Sequence, residues 1–200
     1  LVRGNIDFDF ICESTLPDFC EKGGNPLSVG KMEYEAVVVP ACETLRSTTL
    51  ERLEAFLDAG GKLIFMGDAP AFVDAAPSDR AKRLFDRSRR ISFERASILG
   101  ALSEQRDIDI RDRDGHLTYK QVHQLRRDTD GLWLFIAQCG EPYNNDIASR
   151  ETVTVSVRGE YTPELWDTQD GSIRPMAFTH KGGKTVFSLS LYDYDSALIF

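Results

Sequence analysis

A chain of 200 residues can form one large domain or two small ones, and either can bury a real core. Its 42% hydrophobic and 28% charged residues are ordinary for a globular chain. A net charge of −8 excludes nucleic acid as an expected partner, because phosphate-backbone binding wants a basic face, and no apolar run approaches the ~20 residues of a membrane span. The densest basic run, residues 80–90 (RAKRLFDRSRR), reads as a solvated helix face. The chain starts Leu1-Val2-Arg3-Gly4 without Met and enters in mid-pattern, so it is expected to be a piece of a longer protein whose localisation cannot be read here.

Ile6, Phe8 and Phe10 alternate with Asp7 and Asp9, which predicts a half-buried strand. After a loop with Gly23-Gly24-Asn25-Pro26, the run Ala36-Val37-Val38-Val39 is short and β-branched, as buried parallel strands are, and Pro40 stops it. Thr48-Thr49-Leu50-Glu51 reads as a capping box opening a helix with Leu50, Leu53, Phe56 and Leu57 on one face. Gly60-Gly61 closes that helix, and residues 62–66 (KLIFM) form the next strand, ended by Gly67-Asp68. Strand, helix, glycine pair and strand within one short stretch make a βαβ unit with a parallel sheet. A further helical pattern covers residues 92–104, with Ile98, Leu99 and Leu102 apolar.

From Asp107 the pattern changes. Residues 107–115 (DIDIRDRDG) are polar and turn-rich and are the expected linker. Strand-like runs follow at 122–126, 132–137, 152–157, 184–191 and 197–200, with Asp128-Thr129-Asp130-Gly131 as a hairpin turn and no helical pattern between them. The last forty residues alternate apolar and polar in short runs broken by Asp-Gly and Gly-Gly turns, which predicts an antiparallel module with one buried face.

Reactive residues are sparse. Cys12, Cys20, Cys42 and Cys139 lack CxxC or Cys/His ligand spacing, so neither a metal site nor a cofactor is expected. Cys12 and Cys20 either bridge in an oxidising compartment or stay free, and free thiols are the favoured reading. Cys42 is the sharpest catalytic candidate, since it follows a strand at the carboxyl edge of a parallel sheet, where doubly wound folds place their sites. No Gly-x-Cys-x-Gly elbow surrounds it, and His116, His123 and His180 all lie in or after the linker. Asp7, Asp9, Glu13 and Glu43 are the carboxylates from which a glycosidase pair would have to come; solvation of a strand edge explains Asp7 and Asp9 as well. His123 reads as a structural hydrogen-bonding residue. Trp133, Trp166 and Tyr161 either fill a core or make an exposed platform for a sugar ring; both tryptophans are expected to be largely buried.

The stretch His123-Gln124-Leu125-Arg126-Arg127-Asp128-Thr129-Asp130-Gly131-Leu132-Trp133-Leu134-Phe135 resembles a segment that opens a β-sandwich in family 106 alpha-L-rhamnosidase-like glycoside hydrolases. Pro163-Glu164-Leu165-Trp166-Asp167 with Gly171-Ser172-Ile173 is similar to their following hairpin, and the residues from Gly183-Lys184-Thr185 to Ser196-Ala197-Leu198-Ile199-Phe200 to their closing strands. Val37-Val38-Val39-Pro40 and Ala59-Gly60-Gly61-Lys62-Leu63-Ile64 resemble the glutamine-amidotransferase-like domain of those enzymes and of family 42 β-galactosidases. The sequence departs from the pattern at Leu125, before the arginine pair, and lacks the domain's first strand and helix before Leu1.

The resemblance implies a catalytic barrel upstream of this chain that bears the acid and base carboxylates. The expected fold class is therefore α/β followed by all-β. Residues 1–115 would be an N-terminally truncated, partial flavodoxin-like (glutamine-amidotransferase-like) parallel-sheet domain, and residues 116–200 an antiparallel β-sandwich domain. The expected function is an accessory, non-catalytic region of a glycoside hydrolase acting on α-L-rhamnosides or β-galactosides of plant-type glycans. Its partners would be the barrel of the same polypeptide, carbohydrate and a second copy of the chain, the parent being a secreted or periplasmic hydrolase. No catalytic, cofactor-binding or metal residue is assigned. The alternatives are a stand-alone Cys-dependent enzyme using Cys42, or a carbohydrate-binding module.

Overall fold

In a computed structural model of the chain, which describes every residue except Tyr143, Asp146 and Ile147, contacts divide the polypeptide into two compact units. One comprises Asp9–Gln105; the other joins Leu1–Phe8 to Arg106–Phe200. Among the described residues no helix is long and apolar enough to cross a membrane.

The first unit begins with α1 (Leu16–Phe19), the hairpin β1 (Leu27–Val29) and β2 (Met32–Tyr34), then β3 (Ala36–Pro40), β4 (Thr44–Leu45) and α2 (Ser47–Asp58). It continues through β5 (Lys62–Met66), β6 (Phe72–Val73), β7 (Ala76–Pro77), α3 (Asp79–Arg87), β8 (Arg89–Ile91) and α4 (Arg95–Ala101). Strands β3, β5 and β8 lie side by side in that order, all parallel, so the βαβ reading holds. Helix α2 buries Leu50, Leu53 and Phe56 against Val39, Leu63 and Phe65 of the sheet and Ala81 and Leu84 of α3. It ends as its sequence requires. Gly61 N–H donates to the Phe56 carbonyl at 2.8 Å and Gly60 N–H to that of Leu57 at 2.9 Å, with Gly60 at φ 83°. A side chain at Gly61 would collide with the Phe56 ring, so the second glycine is needed for close approach rather than for its dihedral.

The second unit holds β9 (Ile108–Arg111), β10 (Gln121–Arg127), β11 (Leu132–Gln138), β12 (Arg150–Arg158) and β13 (Glu164–Trp166). After them come β14 (Ile173–Pro175), β15 (Phe178–His180), β16 (Lys184–Tyr192) and β17 (Ser196–Ile199). Five strands order as β10-β11-β17-β13-β14 and four as β15-β16-β12-β9, and the pairings in both sheets are antiparallel. One core takes Leu134, Ile136, Ala197 and Ile199 from the first sheet, and the inward residues of β9, β12 and β16 from the second. Two sheets sharing a single buried layer make a sandwich. The period of two is plain in β16, where Thr185, Phe187, Leu189 and Leu191 point inward.

Four local expectations change. Residues 6–10 form no strand: Val2–Gly4 is a 3₁₀ turn, Asn5 is left-handed at φ 54°, and the alternation fails at Phe10, which is 92% exposed. The capping box does not form, because α2 starts at Ser47, ahead of Thr48. Its first amides are met from outside the helix: Arg46 N–H donates to the Glu13 carboxylate at 2.9 Å and Ser47 N–H to that of Asp74 at 3.0 Å. Glu51 turns instead toward Arg80, at 3.9 Å. The stretch 107–115 is a linker only in its second half. Ile108 and Ile110 are fully buried in β9, which pairs with β12, while Asp112 and Gly115 make the turn. By contacts the chain therefore divides at Arg106, and a boundary at residue 115 would cut β9 from the sheet it completes.

Candidate binding surface

Because β11 alternates, Leu134 and Ile136 enter the core and Trp133 and Phe135 must face outward. Register carries that outward row across the sheet. Trp133 pairs with Arg126 and Phe135 with Gln124 of β10, while Phe135 also pairs with Leu198 of β17. Leu198 pairs in turn with Trp166 of β13, and Trp166 with Ile173 of β14. Phe200 and Glu164 exchange both backbone hydrogen bonds, at 2.8 and 2.9 Å, and extend the same face.

Three rings gather on it. Trp133 and Trp166 meet edge-to-face, with centroids 4.9 Å apart and planes at 79°; Phe200 lies 4.6 Å from Trp133 and 6.1 Å from Trp166. Phe200 also rests on Gly131, where an added Cβ would stand 2.8 Å from the ring. The tryptophans are half-buried rather than buried, and Trp166 Nε1 is closed off from solvent within the ring cluster. Phe135 is 39% exposed and Ile173 49%. Charged groups border the strip, with exposed Arg126 on β10 and half-buried Glu164 on β13. Tyr161 is absent from it. That ring packs against the sandwich core beside Gly159, its amide donates to Thr185 Oγ1 at 2.8 Å, and its carbonyl meets His180 Nε2 at 3.0 Å. The third ring of the cluster is Phe200.

Cys42 packs partly buried against the α/β core, and burial, with the Glu13 charge beside it, pushes its thiol up, away from the thiolate a nucleophile needs. Glu13 is occupied at the start of α2, and Asp9 accepts from the Tyr34 hydroxyl at 2.8 Å. Asp7 accepts the Phe8 amide at 3.1 Å, and the Glu43 carbonyl receives the Ala71 and Phe72 amides. His123 makes no side-chain hydrogen bond among the described residues, contrary to expectation; burial pushes its imidazole down, with Asp7 and Asp107 opposing. All four cysteines are free, Cys20 buried and Cys12 exposed. A hydrogen bond with Ser14, at 3.0 Å, leads the interactions that hold the Cys12 thiol at about 7. Sequence reading passed over Asp112, Asp114 and His116, whose ligand atoms lie within 4.8 Å of one another. Asp112 Oδ1 already accepts the Asp114 and His116 amides, which makes the group a turn closed by its own backbone.

The described residues thus define an α/β unit and an antiparallel sandwich whose clearest surface feature is an outward aromatic strip. No family model matches the sequence, and no curated protein does. Among solved structures the chain is similar to a rhamnosidase from Novosphingobium sp. PP1Y, with a TM-score of 0.73 and 19% identity, covering 100% of this chain and 20% of that one. It is also similar to alpha-L-fucosidase isoenzyme 2 from Paenibacillus thiaminolyticus, with a TM-score of 0.57 and 11% identity, covering 99% of this chain and 43% of that one. At such identities what is shared is the fold. The chain spans 20% and 43% of those two chains, and its fold is one found within larger glycosidases.

Proposed function

We propose that this chain is an accessory, non-catalytic region of a glycoside hydrolase of the family 106 type, acting on plant-type glycans and bracing a catalytic barrel carried elsewhere in the polypeptide. The observation that carries the reading is the rhamnosidase likeness, which extends over 100% of this chain yet occupies only 20% of the enzyme. Fold does not imply function, so the argument also rests on the residues. Of the carboxylates that could have formed a glycosidase pair, Glu13 caps α2 and Asp9 accepts from Tyr34, and Cys42 is held away from its thiolate.

In this reading the two contact units are two domains. The three-stranded parallel sheet of β3, β5 and β8 is the remnant of a flavodoxin-like, amidotransferase-like sheet. An α-L-rhamnoside or β-galactoside is the substrate of the whole enzyme. The purified chain is expected to give no turnover on a panel of nitrophenyl glycosides, and restored or increased activity when supplied to a barrel lacking it. Robust hydrolysis by the chain alone would overturn the proposal.

A further inference from the structure

We infer that the outward face of the five-stranded sheet binds a neutral glycan directly, with Trp133, Phe135 and Phe200 as the apolar floor and Arg126, Gln124 and Glu164 as its hydrogen-bonding rim. This deepens the accessory reading and rests on it only for the kind of glycan tested. A pyranose offers two chemistries: C–H faces that lie on aromatic rings, and hydroxyls that want charged or amide partners at the ring's edge. The face supplies both in register. Arg126 is the cross-strand partner of Trp133, Gln124 that of Phe135, and Glu164 the neighbour of Phe200. Four adjacent strands from β10 to β13 make a strip roughly 15 Å wide, the span of two or three sugar rings.

The same pattern argues against another protein layer as occupant. The centre of a protein interface is depleted in acidic side chains, and covering Arg126 and Glu164 with apolar surface would desolvate charges that lie too far apart to neutralise one another. A hydroxylated ligand leaves them solvated through its own oxygens. Phe135 is 39% exposed and Gln124 and Arg126 are exposed, while Trp133, Phe200 and Glu164 are half-buried, so the β10–β11 side of the strip is the part open to a ligand.

The test is titration of the whole chain with a neutral rhamnose oligosaccharide and with a β-galactan, followed by calorimetry and indole fluorescence. Saturable heat is expected with at least one of them, together with a change in tryptophan emission. Phe135→Ala and Arg126→Ala should each weaken binding about tenfold while the urea midpoint stays put, since both side chains lie on the surface. No saturable binding by the unaltered chain, or undiminished binding by both variants, would overturn the inference. Release of reducing sugar in the same titration would count against the accessory reading and leave the surface untouched, so the two can fail separately.

Discussion

The indole of Trp166 stands edge-on to that of Trp133, 4.9 Å between centroids at 79°, on the side of the sheet that the sandwich core does not use. Both rings are half-buried, so emptying the site removes about half of what a core aromatic contributes. Trp166→Ala should lower stability by about 2 kcal/mol, against the ~3–5 kcal/mol of a fully buried tryptophan. Urea unfolding followed by far-ultraviolet circular dichroism reads it; an unchanged midpoint would mean that the cluster adds nothing to the fold.

Ile110 is fully buried in β9, inside the segment that composition marks as a linker. Ile110→Ala should cost about 2–5 kcal/mol, the range of core truncations. A true linker would tolerate it, so a thermal melt separates the two descriptions.

Arg80 forks onto Glu54, with Nε to Oε1 at 3.1 Å and Nη2 to Oε2 at 2.7 Å, and so ties α3 to α2. Arg80→Lys keeps the charge and loses the fork. A loss of about 0.5–1 kcal/mol is expected, given partial exposure. Raising salt should narrow the gap between the two proteins only slightly if geometry rather than charge is responsible.

Hydrogen bonds from Ser47 hold the Asp74 carboxyl below its ordinary value. A carboxylate depressed in the folded state stabilises above its unfolded pKa, about 3.9, and loses that contribution as pH falls through the folded value. Asp74→Asn should therefore lower the melting temperature at pH 7, and the difference from the parent protein should vanish in acid. A difference that does not shrink as pH falls through the carboxylate range would assign the effect to packing.

Iodoacetamide at neutral pH should modify Cys12 first, because its exposed thiol sits at about 7, and Ser14→Ala should slow that reaction. Cys42 and Cys20 should lag, being partly or wholly buried. Peptide mapping reads the order, and fast labelling of Cys42 would revive the Cys-dependent enzyme.

Much of this was legible in the residues, and the failures share a cause. Val37 to Val39, the apolar stripe of α2, the Gly60-Gly61 stop and the long strands of the sandwich were readable because periodicity and turn chemistry are local. The helix start was not, since its caps come from Glu13 and Asp74, far along the chain in either direction. In β11 both faces are apolar, so the sequence of Leu132 to Ala137 identified a strand yet could not say which face holds Trp133. Phe200 escaped notice as a surface residue because only the pairing of β17 between β11 and β13 brings it to the tryptophans.

Leu1–Phe8 belongs with Arg106–Phe200, and Asn5 anchors it there by accepting the Ile110 amide at 3.1 Å. The sandwich unit is thus interrupted in sequence by the whole α/β unit. A ribosome would release Asp9–Gln105 as one continuous stretch, able to collapse while synthesis continues. The opening eight residues would meanwhile wait for strands made nearly a hundred residues later. No single proteolytic cut could then free the sandwich intact, because any cut between the units leaves its first segment on the other piece.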